Sequence, residues 1–229
     1  MWGTVRDLMR ALSPRDEFII VVVAAFGTSI LVNLTYLIPM PSTTGLMAES
    51  DLVYLLIDEP IVLIVLAVFL HARGWSLETI GLGPNFAETI FGISLAFVVG
   101  FVSSTAWTIA IHSSERMLAA LESFKPIEGT LSPATIVLVS IINPIFEEVF
   151  LCGYVMTALR KHTTIGTAIG VSVAIRQLCH VYQGVVGLPS ILPMGLIFAG
   201  AYARTGRLWP LIVAHVLFDF VALVAYQGR

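Results

Sequence analysis

The sequence predicts an all-α, polytopic membrane helix bundle of seven to eight transmembrane helices. Two observations carry that prediction. Of 229 residues, 57% are apolar and only 12% charged, against about 45–50% and about 25% in ordinary soluble domains. The mean hydropathy is +0.92, and the apolar residues fall into runs near the roughly 20 residues that a helix needs to cross a bilayer. A soluble domain of this size could not hide so much apolar side chain behind so little polar surface. Helices are expected because every backbone N–H in lipid must be satisfied within its own segment. The strand alternative needs strict polar–apolar alternation, which these runs lack.

The elements follow in order. Arg6, Arg10 and Arg15 precede an uncharged apolar run over 18–38. That run exceeds the apolar core of a signal peptide, about 7–15 residues, so it reads as a retained first span. Further spans are expected at 52–71, 89–111, 131–159, 163–185, 189–204 and 208–227. An eighth could come from splitting 185–204 at Pro189 and Pro193, since an interior proline removes a helix hydrogen bond. Asp58-Glu59-Pro60 suits a helix start, with proline in the first turn and acids at the positive end of the dipole. The second span is therefore expected to begin near there, with 52–57 at the interface. Gly166 and Gly170 form a small-xxx-small pair that suits close helix packing.

With the N-terminus inside, the inner side collects Arg6, Arg10, Arg15, Arg73, Arg160, Lys161, Arg204 and Arg207, and the outer side Arg116, Lys125 and Arg229. The lysine and arginine bias of membrane proteins thus favours an N-terminus inside, at the cell membrane if the source is prokaryotic. The expected organisation is one integrated bundle, with N-terminal helices and linker over 1–88 and a catalytic membrane part over 89–229.

Several function classes drop out. The net charge is −3 and no basic patch with interleaved aromatics appears, so nucleic acid is not an expected partner. Cys152 and Cys179 lie in apolar runs outside any CxxC and read as reduced buried thiols. H-E-x-x-H, G-x-S-x-G and G-x-G-D, which mark other hydrolases, are absent.

Ionisable groups inside spans are the informative feature, because each costs roughly 2.5–3.5 kcal/mol at the bilayer centre on insertion scales. Glu147 and Glu148 lie in "IINPIFEEVFLCGY", just after Pro144. Adjacent helix residues diverge by about 100°, so one acid can face a reaction centre while its neighbour faces a partner. Arg176 and His180, in "RQLCHVYQG", are at i and i+4 and share a helix face. His215 and Asp219, in "HVLFD", do the same. Two histidines and three carboxylates on three helices suit hydrolysis, with one carboxylate taking a proton from water. A metal version would use Glu147, His180 and His215, a set that zinc accepts with one position open; a metal-free version leaves the same residues acting directly on water. Tyr182 reads either as an oxyanion donor or as an interfacial anchor. Buried Glu, His and Arg chains also make proton relays, so a proton-coupled transporter is the alternative from another class.

The acid pair, the histidine on the next helix and the C-terminal His215-x-x-x-Asp219, spread over about 131–225, together resemble the CPBP family of intramembrane proteases. These are type II CAAX prenyl endopeptidases and bacteriocin-processing or Abi proteins. "SLETIGLG" at 76–83 is similar to the linker that precedes the domain in that family. The resemblance implies Glu147 as base, His180 as its water-binding or metal partner, and His215 with Asp219 as oxyanion or second-site residues. It also implies a peptide or lipidated protein substrate at the membrane. Two positions depart from it. The family's E-E-x-x-x-R has Cys152 in place of arginine, and F-x-x-x-H has Arg176 in place of phenylalanine. Arg176 is expected to supply the missing guanidinium to Glu148 from the facing helix. If it does not, an inactive scaffold or immunity protein of the same family is the remaining reading.

One expectation conflicts with the rest. Counted from the inner ends of level spans, Glu147, His180 and His215 lie about 18, 26 and 10 Å deep. They can meet only if helices tilt or break near Pro144, Pro189 or Pro210.

Overall fold

The computed structural model describes residues 11–37, 47–124 and 127–227. Arg6, Arg10, Lys125 and Arg229 of the charge comparison, and position 38 of the first expected span, lie outside the described residues. The described chain is α-helical, with one isolated bridge between Met47 and Ile127. Its helices are α1 (Pro14–Thr35), α2 (Glu49–Ala72), α3 (Phe86–Ser113), α4 (Glu115–Ser123), α5 (Pro133–Arg160), α6 (Ile165–Cys179), α7 (Gly184–Thr205) and α8 (Trp209–Tyr226). Their starts are written locally. Ser13, Asn85, Ser132 and Thr164 each accept a backbone N–H three residues on, opening α1, α3, α5 and α6, as N-cap side chains do.

Among the described residues, six helices are long and apolar enough to cross a membrane: α1, α2, α3, α5, α7 with the turn before it, and α8. The expectation of seven to eight full spans is corrected on two counts. The fifth expected span, 163–185, contains only the 15-residue α6. At 1.5 Å per residue that helix covers roughly 22 Å, less than the hydrocarbon thickness of about 30 Å. The expected split of 185–204 does not occur either, since α7 runs unbroken through Pro189 and Pro193. The short α4 is an amphipathic connector rather than a span.

The start of the second span is also corrected. α2 begins at Glu49 and carries Asp58, Glu59 and Pro60 in its interior. The missing N–H of Pro60 falls in mid-helix, and Glu59 is buried. Glu49 instead caps a neighbour: its Oε1 accepts the Ser132 N–H at 2.9 Å and the Thr135 hydroxyl at 2.6 Å.

The core is built around α5, the most buried of these six helices. α8 packs against α3 and α5, α2 against α5, and α6 against α7. The α3–α8 crossing is close: a Cβ on Gly92 would sit 2.7 Å from both the Pro210 carbonyl oxygen and Val213 Cβ. Polar ties fix these packings, with the Trp209 indole on Thr89 and the Trp107 indole on Ser190, both at 2.9 Å. At one end of the bundle Glu17 is buried, and its carboxylate accepts from Arg73 at 2.6 Å, Trp75 at 2.9 Å and Tyr154 at 3.1 Å. One acid thus joins α1, the end of α2 and α5.

The linker after α2 resolves the depth conflict. Gly81, at φ +70°, turns its carbonyl to the Leu208 N–H at 2.9 Å, and a Cβ there would lie 1.8 Å from the Gly206 oxygen. Leu208 is fully buried beneath this linker. Leu208 also packs on Gly153 of α5, where a Cβ would meet its Cδ2 at 3.2 Å, so α8 starts beside Gly153 rather than beside the end of α5 at Arg160. The level-start premise fails, and the residues can meet.

Candidate active site

Glu147 and Glu148 end the α-helical part of α5. Pro144, one turn earlier, cannot donate to the carbonyl of residue 140. From Val149 to Met156 the same rod continues as a π-helix, whose i→i+5 bonding widens the turn. Phe150 to Met156 are all buried. The regular α-helical period expected across 131–159 is thus interrupted beside the acid pair, where π segments recur at functional sites.

Arg176, from α6, reaches both acids. Its Nη1 donates to Glu147 Oε2 at 2.7 Å and its Nη2 to Glu148 Oε1 at 2.6 Å. The guanidinium is 1% exposed and Glu148 fully buried. The 100° divergence of adjacent residues is spanned because the two ends of one fork point to different carboxylates. The floor of this arrangement is small. Gly195 on α7 sits under Arg176, where a Cβ would meet Arg176 Cδ at 3.4 Å. The Phe198 ring lies 5.8 Å from the guanidinium carbon.

His215 completes the buried half. Its Nδ1 is 2.8 Å from Glu148 Oε1, and its Nε2 is 3.4 Å from Asp219 Oδ1, one turn along α8. Cys152 lies against Glu148 and Ser172, so position 152 adjoins the acid whose guanidinium comes from Arg176.

His180 stands at the other half. Its backbone follows the last residue of α6, at φ −117° and ψ 15°, and a short turn over 181–183 leads into α7. Its Nδ1 lies 2.8 Å from the carbonyl of Arg176. A carbonyl only accepts, so Nδ1 carries the proton and Nε2 of the neutral ring is an acceptor. That Nε2 faces Glu147 Oε1 at 3.9 Å. The side chains here are less enclosed, at 17% exposure for His180 and 8% for Glu147.

Tyr182 stacks on the His180 ring at 6.2 Å. Its hydroxyl accepts the Gln183 amide at 3.0 Å, and its N–H is held by Asn33 Oδ1 of α1 at 3.0 Å. Asn33 is a buried polar residue that satisfies non-helical backbone at the end of α6, and reading the sequence missed it. Glu59 was read as a helix start, yet its Oε1 accepts the Asn143 amide at 2.7 Å one turn before Glu147. The signal that could have found both was polarity in an otherwise apolar run.

Among the described residues, one group could hold a metal ion: Glu147, Glu148 and His215 offer ligand atoms within 4.8 Å of one another. The expected set was Glu147, His180 and His215; this group has Glu148 where that set has His180, whose Nε2 lies 3.9 Å from Glu147 Oε1. The fit to zinc is poor. The Arg176 guanidinium already holds one oxygen of each carboxylate at 2.6–2.7 Å, so a divalent ion would meet a buried cation on the same ligands.

Comparison with known proteins follows the same residues. Residues 129–221 match the family described as type II CAAX prenyl endopeptidase Rce1-like. The chain is 29% identical over 158 residues to a Bacillus subtilis (strain 168) protein named "Putative membrane peptidase YdiL". That similarity covers 68% of this chain and 62% of the relative. No solved structure matches the chain. The segment that resembles this family contains Glu147, Glu148, Arg176, His180, His215 and Asp219, and the chain spans less than two thirds of the length of the relative it matches.

Proposed function

We propose that this chain is an intramembrane endopeptidase that hydrolyses a peptide bond with water activated by Glu147. The observation that carries the reading is the 3.9 Å gap between Glu147 Oε1 and His180 Nε2. It is too long for a hydrogen bond and fits one bridging water, whose two contacts of about 2.8 Å would subtend roughly 90°. Both flanking atoms accept, so both water hydrogens point at the protein and a lone pair points away, towards an incoming carbonyl.

In the proposed reaction the water oxygen bonds to the carbonyl carbon and its proton passes to Glu147. The same proton then goes to the amide nitrogen as the C–N bond breaks, leaving a carboxylic acid, which keeps the second water hydrogen, and an amine. Glu148, His215 and Asp219 are positioning residues that hold Arg176, and Arg176 fixes the other oxygen of Glu147. No step requires a metal in this reading. The substrate is a membrane-associated peptide, either prenylated or carrying a leader. We read 89–229 as the catalytic part, 1–88 as its supporting helices, and the N-terminus as inside.

The test is cleavage of a panel of lipidated and leader peptides by the purified protein, with Glu147→Ala as control. Cleavage that depends on Glu147 supports the reading. A panel left intact by wild type, or cleaved equally by the variant, overturns it.

A further inference from the structure

Besides Glu17, whose carboxylate is held by Arg73, Trp75 and Tyr154, the mechanism leaves a second buried acid of the described residues unused. Glu59 is 5% exposed at the middle of α2. Its Oε1 is held by the Asn143 amide, while its Oε2 is buried with no hydrogen-bond partner. An unmatched carboxylate oxygen in a membrane bundle is costly, and such groups mark functional sites. Its place is informative. Asn143 is four residues before Glu147 and so on the same face of α5. Glu59 also lies within electrostatic range of Glu147, Asp58 and Asp219.

The charges around it do not balance. Glu59, Glu147, Glu148 and Asp219 bring four carboxylates to the same region. Arg176 spends both terminal nitrogens on Glu147 and Glu148, and His215 stands between Glu148 and Asp219. His180 gives its Nδ1 proton to a backbone carbonyl. Nothing cationic among these groups is directed at Glu59. Asn143 and the Asp219 side chain are both partly exposed, so the acids border the open half of the site.

We propose that Glu59, held by Asn143, is a substrate subsite for a cationic group, the ammonium of lysine or the guanidinium of arginine beside the scissile bond. This deepens the peptidase reading and rests on it for the role of the subsite in turnover. Glu59→Gln is nearly isosteric and removes the charge. A charge-assisted bond to a buried carboxylate is worth about ten- to a hundredfold in affinity, and that discrimination is the quantity to measure.

Two arms separate this proposal from the peptidase reading. In the first, n-butylguanidinium and n-pentanol are titrated against the full chain in detergent micelles, and the unfolding midpoint is followed. The guanidinium is expected to raise the midpoint of wild type saturably, with no such rise in Glu59→Gln and none from pentanol. A wild-type protein that ignores the guanidinium, or a variant that responds equally, overturns the subsite. In the second arm, farnesylated peptides carrying lysine or norleucine at each position after the lipidated cysteine are compared by KM. The expected result is a lysine preference of about tenfold or more at one position, falling below about threefold in Glu59→Gln. An unchanged preference in the variant overturns the subsite. Absence of cleavage from every peptide strikes the peptidase reading, and the first arm then decides the subsite alone.

Discussion

His180 presents Nε2 to Glu147 Oε1 across 3.9 Å because its Nδ1 is tied to the carbonyl of Arg176, one turn back on α6. The ring orientation is set by the helix that also supplies the guanidinium. The end of α6 therefore fixes both partners of Glu147 at once.

His180→Ala is predicted to lower cleavage by about 10²–10⁴-fold, the usual range for a positioned acid–base partner. The unfolding midpoint in micelles should stay close to wild type, since His180 is only partly buried. A fall in kcat with little change in KM separates loss of water positioning from loss of binding.

Arg176→Phe leaves Glu147 and Glu148 without their cation. Breaking a buried pair from one side costs about 3–5 kcal/mol, so denaturation in mixed micelles should show a large loss of stability, together with loss of cleavage. Cys152→Arg combined with Arg176→Phe restores the family's pattern at both positions, and position 152 adjoins Glu148. The double variant is predicted to recover stability and activity relative to Arg176→Phe. A dead double variant whose two single changes are each active would refute the exchange.

Metal dependence gives an independent check. With Arg176 on both carboxylates, treatment with a chelator followed by dialysis is predicted to leave the cleavage rate unchanged. Elemental analysis of the active protein should find well under one zinc per chain. Activity lost to the chelator and regained with zinc would reverse the assignment of roles.

Glu17→Ala is predicted to destabilise the bundle by about 3 kcal/mol or more, since hydrogen bonds to a charged group contribute about 1.5–3 kcal/mol each. The acid accepts from Arg73, Trp75 and Tyr154. Thermal unfolding of the purified variant measures the loss.

The apolar runs were legible because hydropathy integrates over many residues, and the helix starts because Ser13, Asn85, Ser132 and Thr164 cap locally. The residues of the acid pair, Arg176, His180, His215 and Asp219 were legible because charge in an apolar run is costly. Their depths were not. Those depend on the linker over Leu208, a tertiary contact between segments more than a hundred residues apart. The π segment after Glu148 leaves no periodic trace, because Phe150 to Met156 are buried on every side. Glu59 was misread because Pro60 fits a first helical turn as well as an interior kink, and only packing against Asn143 distinguishes them.

One rate comparison bears most directly on the account: wild type against Glu147→Gln on the same lipidated peptide, with folding of both checked by their unfolding midpoints. Glutamine keeps the shape and cannot take the proton, so the expected result is a loss of about 10³-fold or more in kcat with the bundle intact. A folded glutamine variant that cleaves at the wild-type rate would contradict the role given to this carboxylate.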